Sequence, residues 1–505
     1  MPVSNELFDV IRVMTRKEKS FFRRYFRMHS AGKDGAVLNL FERLAEYSAN
    51  KDTYFEEEFK LSLIEPTRRH FPVIKNNLYN LVLKSLNDYR RENNNENKVK
   101  SLLEQYEILF SMSLLTQAEK VLKKAKKLAV NNEYFMDINT IHNRERTLAR
   151  YMLDAEGYSK VVERVHKEQI ENLERIKNVS EMNDLGSRIT ILLQKYPTSK
   201  TRHEADMKER SEIFNNPLLR DESRMLSSVT LKRFYNLNVV LNEWLLDYEA
   251  SFMFAKKYAE EVEKDVDMNK SSIHDYIISQ YSVMTSSTRT EDLVEYEKAH
   301  LKLSNIKSRF PAASERDKLE AFYYLGLDVL SSSASNYHPE RGLKMYEEAE
   351  LNHGQMDRML SLQQKIVWYF VIARFCFFKA AYPDAGRWLN RLIQIPNIDV
   401  SQDYQCYARI MNLVVAYESG NPDRIEHELR RAYYFLTKRN KIYKYEKIIL
   451  EYTRQAFRVR SQREINEMLE FMYRDLSAIK NDPFEENAFD AFDMLPWLKG
   501  KISGK

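Results

Sequence analysis

The chain has 505 residues, 30% of them charged, with a net charge of +5. That length suits several ordinary domains or one long repeat array. Only 11 glycines and 12 prolines are present, which excludes folds that depend on many tight strand turns or on phosphate-cradling loops. The 31 tyrosines and 26 phenylalanines at helical spacing predict core rather than cofactor contacts. Cys376 and Cys406 sit among apolar residues of predicted helices. Buried free thiols are expected, and a disulfide framework is excluded by count.

The first residues lack the apolar region of a secretory leader. No run reaches the length of a membrane span, and the most apolar patch, FVIARFCFF, is interrupted by Arg374. A cytoplasmic protein without a membrane partner is the expectation. Charge is uneven: residues 11–29 hold seven Lys/Arg against one acid, and residues 430–463 eleven against two. The segment Asp482 to Asp493 is acidic.

Residues 1–97 read as a helical N-terminal domain or cap of five helices. The first covers about Asn5 to Met14. Thr15 opens the second, with Glu18 three places on as in a capping box, and Phe21, Phe22, Tyr25 and Phe26 make an aromatic stripe. Gly32 and Gly35 break the chain before a third helix, Val37 to Tyr47. Thr53 and Glu56 cap a fourth, to about Ile64. Pro66 and Pro72 bracket a turn, and a fifth helix runs to about Arg91. RRENNNENK follows as a polar hinge or a helix extension. Helices three to five also fit a helix-turn-helix-like unit with Arg68, Arg69, Lys75 and Lys84 toward DNA backbone. No base-reading pattern accompanies them.

Helical hairpins begin at about Lys98. The small position of each second helix falls at Ala118, Val161, Ala205, Ala255, Val294, Gly342, Ala385, Ile425 and Ile465, usually near 43 residues apart. Pro339, Pro383 and Pro422 each open a second helix, where a missing N–H costs nothing, and Asn421 is a natural cap. Pro197, Pro217 and Pro311 fall between hairpins or at helix ends. Tyr196–Arg202, Thr285–Thr290 and Ser331–His338 read as inter-helix loops.

The clearest hairpin is Ile366 to Pro396. Ala373 in its first helix, then Tyr382, Ala385, Leu389 and Leu392 around the second, with Pro396 at the close, resemble a tetratricopeptide (TPR) repeat. Cys376 and Ala380 depart from that pattern, standing where the family has an aromatic and a turn glycine. The resemblance implies an all-α, right-handed α-α solenoid of eight or nine long hairpins over residues 98–480, with first helices lining a groove. By offset the groove positions are Asn143, Arg146, Arg150 and Asp154, then Phe370, Arg374, Phe377 and Phe378, then Tyr407, Ile410, Val414 and Tyr417. Arg146 and Arg150, one turn apart, could grip a carboxylate or phosphate, or could pair with Glu145 or Asp154.

No nucleotide-binding, metalloprotease, paired-cysteine or nucleophile-elbow motif occurs, so no enzyme, cofactor or metal site is expected. His166 reads as solvated. Glu426, His427 and Glu428 are adjacent and point to different helix faces. In residues 430–463 the cations interleave with Tyr433, Tyr434, Phe435, Tyr443, Tyr445, Tyr452 and Phe457. That composition suits nucleic acid or an acidic protein segment, or a buried aromatic face with cations outside. Arg439, Lys441 and Lys444 are the contact candidates there. Residues 481–505 carry Phe489, Phe492, Leu495, Trp497 and Leu498 among acids. They read as a lid on the last hairpin, as a docking peptide, or as a means of self-association. The function expected is a scaffold for a partner protein segment; the alternative is a nucleic-acid-binding regulator.

Overall fold

The computed structural model describes residues 6–29, 35–50, 55–63, 67–93, 95–195, 212–267, 273–311, 313–334, 339–395, 401–439, 441–456, 461–482 and 484–503. Among them every regular element is helical. The chain divides into two compact units, Met1–Ser180 and Glu181–Lys505.

The first unit opens with α1 (Glu6–Val13), α2 (Arg16–His29), α3 (Gly35–Asn50), α4 (Glu56–Leu61) and α5 (Phe71–Asn93). Thr15 and Glu18 form the reciprocal cap: the Thr15 N–H donates to the Glu18 carboxylate at 2.8 Å, and the Glu18 N–H to the Thr15 hydroxyl at 3.2 Å. Of the α2 aromatic stripe, Phe22 and Phe26 are buried, and the Phe22 ring lies 4.3 Å from that of Phe41 on α3. α4 stops at Leu61, short of the expected Ile64, because the Ser62 N–H and hydroxyl both turn back to the Phe59 carbonyl. Gly32, Thr53 and Pro66 lie outside the described residues. RRENNNENK is largely helical, with α6 (Asn95–Ser111) starting two residues after α5 ends.

α6 pairs with α7 (Leu115–Asn131), and α7 with α8 (Phe135–Met152). The hairpin expected around Val161 and the one after it are joined in a single 41-residue helix, α9 (Ala155–Lys195). No proline interrupts it, so nothing in the sequence forces a break. The Ala205 marker, Pro197 and the loop Tyr196–Arg202 lie outside the described residues.

The second unit begins within α9, at Glu181, whose Met182, Leu185, Ile189 and Leu192 join its core, and continues with α10 (Pro217–Arg220). Six pairs follow: α11 (Ser228–Trp244) with α12 (Tyr248–Asp267), α13 (Ile273–Arg289) with α14 (Leu293–Ser304), and, past the one-turn α15 (Ile306–Arg309), α16 (Glu315–Ala334) with α17 (Pro339–Met359). Then come α18 (Leu362–Phe378) with α19 (Tyr382–Ile393), α20 (Gln402–Glu418) with α21 (Pro422–Lys438), and α22 (Lys444–Ala456) with α23 (Gln462–Ile479). Two short helices close the chain, α24 (Glu486–Ala491) and α25 (Leu495–Ile502). The first helices α11, α13, α16, α18 and α20 also pack each on the next, making a layer. This sequential packing is that of a solenoid-like array.

The polar runs Thr285–Thr290 and Ser331–His338, expected as loops, are partly helix. α13 continues to Arg289, and the hydroxyls of Thr285, Ser287 and Thr288 donate to carbonyls four residues earlier, so these side chains are satisfied within the helix and do not compete for its backbone in a loop. α16 likewise runs through Ala334, and the rest of Ser331–His338 lies outside the described residues. The markers Ala118, Ala255, Gly342 and Ala385 are buried. Val294 is 64% exposed instead. The Asp292 carboxylate caps α14, which puts Val294 in the solvent-facing first turn, and the buried small residue of that helix is Ala299.

The turns inside these hairpins share one geometry. Ser113, Leu246, Glu291, Ala380 and Gly420 have positive φ, each two residues before a second helix starts, and Glu133 stands likewise before α8. Around Ser113, Glu133, Leu246 and Ala380 the chain makes the paired bonds of a Schellman cap. For example, the Ala380 N–H donates to the Phe377 carbonyl and the Ala381 N–H to that of Cys376. Glycine is the residue that tolerates this conformation without strain, yet only Gly420 supplies it. This explains how a glycine-poor chain still turns so often.

One buried acid affects stability. Asp328 on α16 is buried and accepts a 2.8 Å hydrogen bond from the Tyr296 hydroxyl on α14. Burial pushes its carboxyl up to about 6 from an ordinary 3.8, with the Tyr296 bond opposing. The folded state therefore holds its proton longer than the unfolded state. Stability falls as pH rises from about 4 through 6, by up to about 3 kcal/mol. Asp328→Asn keeps an acceptor for Tyr296, so it should be more stable than wild type by about 1–3 kcal/mol at pH 8 and near parity at pH 4. Urea denaturation at both pH values checks this; equal stability at pH 8 would sink it.

Candidate functional site

The residues singled out in the sequence divide between the units. In the first unit, Arg146 and Arg150 stand on α8. Neither has a carboxylate partner among the described residues: Glu145 pairs with Lys126 at 2.9 Å, and Asp154 accepts the Gly157 N–H. The Arg146 Nε is buried without a hydrogen-bond partner. Lys75 is committed to Glu56 at 2.5 Å, whereas Arg68, Arg69 and Lys84 are exposed.

A cluster that could hold a metal ion also lies in this unit. His142, Glu145 and Glu168 bring ligand atoms within 4.8 Å of one another. The Lys126 ammonium sits between the carboxylates, 2.9 Å from Glu145 and 2.7 Å from Glu168, and Arg164 approaches Glu168 at 2.9 Å. Burial and then the Lys126 charge lower the His142 pKa. The position a cation would take is held by a side-chain cation, so the arrangement is an ion-pair network linking α7, α8 and α9.

In the second unit, four of the sequence candidates meet at one place. Arg374, Phe377, Tyr417 and Lys444 all contact the C-terminal segment. Arg374 donates to the carbonyls of Asp490 at 2.8 Å and Ala491 at 3.3 Å, and to that of Ser331 at 3.3 Å. Burial lowers its pKa. Phe377 lies 4.9 Å ring to ring from Phe492, and Tyr417 6.0 Å from Trp497. Lys444 reaches Asp482 at 2.8 Å. Arg439 lies over the Phe435 ring at 4.0 Å, and Lys441 pairs with Asp403 at 3.5 Å. Among the described residues neither is paired with the C-terminal segment.

Other residues complete the site. Glu485 is fully buried, and its carboxylate accepts the N–H groups of Lys444 and Tyr445 at 3.3 Å. That is an acid on the exposed donors and positive end of α22. The Tyr445 hydroxyl donates to the Phe492 carbonyl, and its ring lies 5.0 Å from that of Phe489. Arg289, from the end of α13, faces Asp490 at 3.4 Å. Glu418 accepts the Trp497 indole N–H at 2.5 Å and pairs with Lys501 at 2.8 Å. Residues 484–493 thus form a strap over the C-terminal turns of α13 and α18 and the start of α22, with α24 against α20, while Trp497 and Lys501 of α25 hold the last turn of α20. α25 packs on α23.

Arg289, Glu418, Tyr445 and Glu485 were not singled out as site residues. Only the fold brings four separate helices to one segment. The sequence signal available was the tail itself, with its Phe489, Asp490 and Phe492 beside Glu485.

Elsewhere the candidates disperse. Glu426 pairs with Arg430, and Glu428 with His427 at 3.2 Å and Arg431 at 3.3 Å. His166 is exposed. Cys376 and Cys406 are buried free thiols, each pushed up to about 12 by burial. In the basic stretch, Phe435 and Tyr445 are buried, but Tyr433 and Tyr434 are 57% and 69% exposed on α21. Among the described residues no helix is long and apolar enough to cross a membrane. No protein-family model, curated protein or solved structure matches the chain.

Proposed function

We propose that this protein is a TPR-like, right-handed α-solenoid that holds a segment of a partner protein on its layer of first helices. One observation carries the reading. That layer already holds an acidic, aromatic segment by arginine-to-carbonyl bonds, an ion pair and aromatic rings, supplied by Arg289, Arg374, Phe377, Tyr417 and Tyr445. These are the means by which helical grooves take peptides.

The test uses the full chain with a photocrosslinking side chain at Thr288, which is exposed on α13. The control carries it at Leu351, 84% exposed on the second helix α17. A discrete protein adduct at Thr288, absent at Leu351, is expected in the native lysate. Adducts of equal yield at both positions would overturn the reading.

A second reading rests on Tyr433 and Tyr434. Exposed rings beside Arg430 and Arg431 suit nucleic-acid bases and phosphates, although both arginines also face Glu426 and Glu428. Salt-sensitive binding of single-stranded RNA or DNA, lost in a Tyr433→Ala/Tyr434→Ala chain, would favour it.

A further inference from the structure

The strap itself describes what the surface takes. Glu485 caps a helix N-terminus. Four residues on, Phe489 meets Tyr445, Asp490 meets Arg289, and Phe492 lies against Phe377 and Phe378. We propose that the surface binds a partner segment of this same chemistry, a carboxylate followed four residues later by Phe-Asp and then a second aromatic, and that residues 484–493 are the resident competitor of that segment. This rests on the scaffold function proposed above and adds the partner's class and its regulation.

Three features support exchange. The strap is bounded by helices on both sides, α23 ending at Ile479 and α25 starting at Leu495, so it can be replaced while α25 stays packed on α23. Its ion pairs are solvated: the side chains of Arg289 and Asp490 are 46% and 37% exposed, and such pairs hold weakly. Its contacts are those a partner would remake, so replacement is like for like, whereas opening without a partner uncovers Phe489 and Phe492.

The probe is a fluorescent synthetic peptide of residues 482–494, added to the full chain and followed by anisotropy. Phe492→Ala loosens the strap. Asp490→Lys removes its ion pair while leaving every apolar contact, and so reports even if the first variant folds poorly. Expected results are peptide binding at least tenfold tighter to Phe492→Ala than to wild type, a severalfold gain for Asp490→Lys, and a tenfold loss when Arg289→Glu is added to either. A folded Asp490→Lys or Phe492→Ala chain that binds the peptide no better than wild type overturns the proposal. Thr288 adducts that persist alongside that failure would leave the scaffold reading standing. Peptide binding without such adducts would leave a surface that serves only its own strap.

Discussion

Replacing Phe492 with Ala should cost the second unit about 3–5 kcal/mol, the range for truncating a fully buried aromatic. Phe492 is wholly buried between Phe377, Phe378 and the Tyr445 hydroxyl. It belongs to the same apolar cluster as Trp368, Trp388 and Leu413. The void left by the ring has little means of closing, because helices fixed by their own pairing surround it. All four tryptophans, Trp244, Trp368, Trp388 and Trp497, lie in this unit, so the fluorescence midpoint in urea reports on it directly. A loss below about 1 kcal/mol would mean that the segment is an appendage and not part of the core. For the same reason, deletion of residues 482–505 should give an insoluble product: it removes Phe489, Phe492, Leu495 and Leu498 from the cluster and leaves their apolar contacts bare.

The second large effect belongs to Gly342 on α17. A Cβ there would lie 2.4 Å from the Ser333 Cβ on α16 and 2.6 Å from a ring carbon of Phe375 on α18. Three helices meet at that point with no slack. Alanine gains about 1 kcal/mol of helix propensity but must push both neighbours away, at about 1–3 kcal/mol. Gly342→Ala should therefore be destabilising by about 1 kcal/mol, and Gly342→Leu by about 3 kcal/mol or more. Gly354 in the same helix is the control, since a Cβ there meets only the Arg358 guanidinium at 3.9 Å. Gly354→Ala should stabilise by about 0.5–1 kcal/mol. If Gly342→Ala behaved like Gly354→Ala, the close approach of α16, α17 and α18 would be refuted.

The helical periodicity, the proline positions and the Thr15–Glu18 and Asn421 caps were legible because they depend on residues a few places apart. The Asn421 side chain does accept the Arg424 N–H, at 3.2 Å. Register was less legible. Val294 and Ala299 both fit a small-residue pattern, and only the Asp292 cap decides which faces inward. The run of Ser and Thr in α13 looks like a loop in one dimension, since its composition does not show that Ser282, Ser286 and Ser287 are buried against neighbouring helices. Arg374 was marked as the residue interrupting an apolar face. What it binds, the carbonyls of Asp490 and Ala491 more than a hundred positions away, no local pattern could give. Tyr433 and Tyr434 show the same limit: adjacent aromatics on one helix cannot both be assigned to the core without knowing which neighbour covers them.

The left-handed turns have a kinetic meaning. At Ser113, Glu133, Leu246, Glu291 and Ala380 a side chain occupies a conformation that costs about 1–2 kcal/mol away from glycine. A turn that costs energy by itself is a poor nucleus for a hairpin, so the expected order is docking of faces first, such as α18 on α16, with the turns closing late. Glycine introduced at those five positions would act mainly by slowing unfolding and would leave the folding rate nearly unchanged.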